Sequence, residues 1–96
     1  PSIEGPSTGY VGPYSPIPRP HTYTLINIPS AASNYTFQWS VLGGMYMMDD
    51  YGSYCMIEFE RIGTFTVSVT ATPKSGTSGL SVITKSKTVT VVETGF

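Results

Sequence analysis

In two stretches of this chain every second residue is apolar and the residues between are polar. In Tyr35–Leu42 the residues Tyr35, Phe37, Trp39 and Val41 alternate with Thr36, Gln38 and Ser40. In Thr64–Thr72 the residues Phe65, Val67, Val69 and Ala71 alternate with Thr64, Thr66, Ser68 and Thr70. Side chains leave a β-strand on opposite faces in turn, so a period of two marks a strand with one buried face. An α-helix with this pattern would have apolar groups all round. No segment longer than a turn or two carries the helical period.

The rest of the chain repeats the theme. Ser2–Gly5 reads as a short first strand, and Tyr10-Val11 as its continuation on the other sheet. A strand over His21–Ile28 puts Tyr23 and Leu25 on one face and Thr22 and Thr24 on the other. Ile28 is out of phase with them, which implies a bulge near Ile26-Asn27. Cys55, Ile57 and Phe59 point inward from a strand over Cys55–Glu60, with Met56, Glu58 and Glu60 outward. A last strand over Val82–Val92, broken near Lys85-Ser86, sets Val89 and Val91 against Thr88 and Thr90. Clusters of Gly, Pro, Ser and Asn separate these runs. About seven strands at such spacing predict an all-β, antiparallel, immunoglobulin-like sandwich of two sheets. Its expected core is Tyr23, Leu25, Phe37, Trp39, Val41, Ile57, Phe59, Phe65, Val67, Val69, Val89 and Val91. Strands of roughly 8 residues would make it about 30 Å long. An odd number of strands would put its termini at opposite ends.

Six of the eight prolines lie within the first twenty residues of the 96. Proline has no N–H for a ladder, so the segment from about 6 to 20 is expected to run extended along a sheet edge and protect it. The chain is long enough for one domain, residues 1–96, and too short for two. It begins Pro1-Ser2, without Met or signal peptide, so an excised or processed segment is expected, with any targeting signal outside it.

Composition narrows the function classes. Only 11% of residues are charged, against roughly 25% in an average chain. Ser and Thr take over the solvent-facing positions, and Thr suits a strand surface. The net charge is −1 with no basic run, so nucleic acid is not an expected partner. No apolar stretch reaches 18 residues, so no direct membrane insertion is expected. Cys55 is the single cysteine, has no partner for an internal disulfide, and reads as a small buried hydrophobe. His21 is the single histidine. With no carboxylate placed near it by sequence, it reads as a surface or strand-edge residue, and no enzyme activity, catalytic residue or cofactor is expected.

The candidate ligand site is the Tyr- and Met-rich connection Met45–Tyr54, which includes at most a short edge strand. Tyr46 and Tyr51 flank Asp49 and Asp50, with Tyr54 close behind. Aromatic faces stack on sugar C–H groups while carboxylates bond the hydroxyls, so this set is the candidate glycan site. The alternative is that the tyrosines cover the sandwich edge. Asp49-Asp50 with Glu58 or Glu60 lacks the spaced acids of a calcium loop, and no metal is expected. Met45, Met47 and Met48 form an adaptable apolar patch suited to a module interface. Asn34-Tyr35-Thr36 fits an N-glycosylation sequon, which the abundance of Thr explains as chance.

Four pieces together resemble the PKD-like (polycystic kidney disease-like) immunoglobulin-type modules, particularly those in surface proteins of Bacteroidetes-like bacteria. They are Ile3-Glu4-Gly5-Pro6, Tyr23-Thr24-Leu25, Tyr35–Val41 followed by Gly43-Gly44, and Gly63–Thr70 with the closing Lys87–Val91. Three features depart from the pattern. Gly43-Gly44 replaces the Gly-Asp-Gly turn, the connection before His21 is long and proline-rich, and Phe65 stands where many relatives have Tyr. The resemblance implies an extracellular, cell-surface or virion-surface spacer, adhesion or assembly module. Its partners would be neighbouring domains of the same parent chain or assembly, or a glycan or protein ligand.

Overall fold

The computed structural model describes residues 1–94. Eight strands carry the fold: β1 (Ser2–Glu4), β2 (Thr8–Val11), β3 (His21–Ile26), β4 (Tyr35–Leu42), β5 (Tyr46–Asp50), β6 (Tyr54–Phe59), β7 (Gly63–Pro73) and β8 (Ile83–Glu93). A single 3₁₀ turn, Ala32–Asn34, precedes β4. The strands form two four-stranded sheets, ordered β1-β3-β6-β5 and β2-β8-β7-β4. This is a β-sandwich, and the strand order is that of constant-type immunoglobulin domains with β2 added at one edge.

The strand count exceeds the expected seven because β5 forms within the Met45–Tyr54 connection, while the first strand divides between the two sheets as expected. β1 pairs antiparallel with β3, and β2 pairs in parallel with β8. The chain crosses between sheets at Gly5–Ser7. Gly5 packs against the Tyr23 ring and Gly9 against Phe59. β1 and β2 therefore make one continuous pass, from beside Ile26 to beside Glu93. A Cβ at Gly9 would stand 2.8 Å from the Phe59 ring, so this edge strand approaches the core closely because residue 9 has no side chain.

The alternation read from the sequence sets the core. Phe65, Val67, Val69 and Ala71 of β7 are buried, as are Tyr35, Trp39 and Val41 of β4. Facing them are Ile3, Tyr23, Leu25, Cys55, Ile57 and Phe59 of the other sheet, and Val89 and Val91 complete the layer. Phe37, expected inside, is only partly buried, against the open side of β4. The Trp39 indole N–H donates to the Gly52 carbonyl at 2.7 Å, and the Tyr23 hydroxyl donates to the Pro6 carbonyl at 2.8 Å. Each amphipathic ring thus stays buried without an orphaned donor. The Tyr35 hydroxyl is buried with no partner among the described residues.

Four other expectations change. β8 runs unbroken through Lys85 and Ser86, paired with Val69 and Ser68. No bulge interrupts β3. It ends at Ile26, and Asn27 takes a left-handed φ of 57°, a conformation its short polar side chain tolerates. His21 is buried, not at the surface. Its Nε2 accepts from the Tyr10 backbone N–H at 3.1 Å, so its Nδ1–H donates to the Pro18 carbonyl at 3.0 Å. A backbone N–H only donates and a carbonyl only accepts, which fixes the neutral tautomer. Finally, the body measures 53 × 21 × 18 Å, longer than expected; β7 and β8, with 11 residues each, span about 36 Å of it.

Candidate functional site

The connection after β4 begins at Gly43, whose φ of 127° turns the chain beside the Thr64 backbone, where no side chain fits. β5 follows as the last strand of its sheet, paired with β6 alone. The register runs from Tyr46 opposite Phe59 to Asp50 opposite Cys55. Directly opposed residues share a face. Tyr46, Met48 and Asp50 therefore lie on the side of the inward-pointing Phe59, Ile57 and Cys55. Met47 and Asp49 lie on the outer face with Glu58 and Met56.

This alternation divides the four residues expected to form one site. Tyr46 and Asp50 take the inner side, and Asp49 and Tyr51 the outer. Tyr46 and Tyr51 stand about 16 Å apart along the strand. Asp50 is engaged in the turn: its Oδ1 accepts from the Gly52 N–H at 2.9 Å, and its Oδ2 faces the Trp39 N–H at 3.5 Å. Asp50 therefore closes the β5–β6 hairpin onto β4. Among the described residues, no group of three or more His, Cys, Asp or Glu comes together as a metal site.

The outer face gathers a different set. The Tyr51 and Tyr54 rings stack with centroids 5.1 Å apart and planes 16° from parallel. The next row across the strands holds Asp49 and Met56, and the one after it Met47 and Glu58. Pro20, from the end of the proline-rich segment, lines a shallow recess with Met47, Met48, Asp49, Met56 and Glu58. Met47 and Tyr51 are 62% and 53% exposed, so the patch is wet and apolar together. Methionines and carboxylates alternate across it, and no lysine or arginine stands opposite either acid. Sequence reading placed Met56 and Glu58 outward on their strand. It did not join them to Met47 and Asp49, because that step needs the β5–β6 register.

The edge of β5 is open. The Glu60 N–H donates to the Met45 carbonyl at 3.0 Å, and the Tyr51 N–H to the Tyr54 carbonyl at 2.9 Å. Antiparallel ladders alternate bonded and non-bonded pairs. The odd-numbered residues of β5 thus bond to β6, and the backbone groups of Tyr46, Met48 and Asp50 face away from it.

Burial controls the titration of the interior. It pushes the Cys55 thiol up to about 12, with the Asp50 carboxylate adding to the effect. Burial also raises the Tyr23 hydroxyl, with Cys55 a smaller contributor. Neither group offers a nucleophile at neutral pH. Comparison with family models, curated proteins and solved structures brings up no match.

Proposed function

We propose that this domain is a non-catalytic spacer and interaction module of a larger extracellular, cell-surface or virion-surface protein. The observation that carries the reading is the split first strand. Because β1 and β2 make one pass along the body, the chain comes in at one pole and leaves at the other, beside Val11. Such an arrangement suits domains strung end to end, with each unit adding length. The sparse charge and the Ser- and Thr-rich outer positions of β7 and β8 fit a solvated surface module. The resemblance to PKD-like modules points the same way.

Two copies joined in tandem test this reading. Small-angle X-ray scattering should give a longest dimension near twice that of one copy. A tandem no longer than a single copy would refute the spacer role.

The glycan-binding alternative narrows to the outer face, where Tyr51, Tyr54 and Asp49 lie together and Tyr46 and Asp50 do not. A glycan array probed with the wild type and with Tyr51→Ala tests it. Binding lost on that substitution would support a sugar site there, and a blank array would remove it.

A further inference from the structure

We propose that the open edge of β5 receives an extended segment of a partner protein as a fifth strand of its sheet, and that this segment carries lysine or arginine on its outward side. The proposal rests on reading the domain as an interaction module and names the place and chemistry of the interaction.

Three observations lead to it. First, Tyr46 and Met48 present backbone N–H and C=O groups outward from the last strand of the sheet, enough for four ladder hydrogen bonds. Asp50 adds none, because its side chain ties that end of the strand to β4. Second, the outer-face residues bordering the incoming strand are Met47, Asp49 and Tyr51. A side chain opposite Asp49 meets a carboxylate flanked by a thioether and an aromatic ring. That is a setting for a cationic head on an aliphatic stem, with the ring face available to the cation. Third, Glu58 adds a second carboxylate one strand further in, and no cation stands opposite either acid. Two carboxylates thus mark this face, over an apolar floor.

An acidic guard against edge-to-edge aggregation is the plainer reading of Asp49. It accounts for Asp49 alone. It does not account for Met45, Met47 and Tyr51 left in water beside it. A second copy of this chain fits less well. Antiparallel β5–β5 pairing about Met48 would set Asp49 beside the other copy's Met47 and bring two more carboxylates onto the face, neutralising none.

The test uses the intact domain, ¹⁵N-labelled, titrated with a capped peptide of alternating Lys and Val. Its glutamate counterpart and an N-methylated version serve as comparators. Shift changes should centre on Tyr46–Asp50, and the Tyr46 and Met48 amides should gain protection from hydrogen exchange. Asp49→Lys, at an exposed position, should leave the melting temperature unchanged and weaken binding roughly fivefold. Added salt should weaken it too. N-methylation should abolish binding, because it removes the peptide's ladder donors without altering the protein. Equal binding of the glutamate peptide, shift changes elsewhere, or indifference to Asp49→Lys would each overturn the proposal. So would a concentration-dependent dimer through β5 in the free protein. The tandem-length measurement does not depend on any of these outcomes, so the spacer reading and the docking edge can fail separately.

Discussion

Tyr35 places a phenol in the core and leaves its oxygen without a partner. A buried polar group left unsatisfied costs about 1–3 kcal/mol, so Tyr35→Phe should raise the melting temperature, and calorimetry reads this directly. The same scale decides the alkaline limit of the fold. An unfolded thiol ionises near 8.5, while Cys55 in the fold is held up to about 12. Between those values the folded chain keeps a proton that the unfolded chain has lost. Stability is therefore whole below pH ~8.5 and falls as pH rises toward 12. Denaturant midpoints measured from pH 7 to 10, below the range where Tyr23 contributes, should show that slope, and Cys55→Ala should flatten it. A thiol reagent at pH 8 should label Cys55 only at the rate of unfolding. The small buried character of Cys55 was legible in its sequence position. The burial of His21 was not, because it depends on Tyr10 and Pro18 arriving from other segments.

At the scale of elements, β4 and β7 were legible because alternation over seven or more residues has no helical counterpart, and the structure returns both with their inward sets nearly intact. Of β5 only a short edge strand somewhere in Met45–Tyr54 was legible, and the structure places it at Tyr46–Asp50. Tyr-Met-Met-Asp-Asp has no apolar alternation, so nothing local showed that the segment pairs with β6 or that its faces separate Asp49 from Asp50. The expected break in β8 shows the opposite failure. Lys85 and Lys87 occupy the inward phase of that strand, which reads as an interruption. The pairing with β7 continues past them, and β2 covers β8 only from Thr90 to Glu93. The two lysines thus stand where the sandwich margin opens. Lysine stems can lie over apolar surface with their heads in water, and lysine along an uncovered strand discourages pairing with another chain. Replacing both with Val should leave β8 folded and make the protein self-associate, visible as a rising mass in light scattering at increasing concentration.

For the whole molecule, the largest single commitment is Trp39, buried between the sheets and bonded to Gly52. Trp39→Ala should cost about 3–5 kcal/mol, out of a total of roughly 5–14 kcal/mol for a chain this size. The variant should be largely unfolded at 37 °C, and a cooperative melt with an unchanged midpoint would contradict its place in the core. The split of the first strand has a mechanical side. β2 and β8 lie next to each other and run in the same direction, one leading from the incoming end and the other to the outgoing end. Tension applied across the two ends would slide these neighbours past each other and strain all their shared hydrogen bonds at once. A hairpin pulled apart from one end gives way a bond at a time. A link built this way resists stretching most at the seam where its own first and last strands meet.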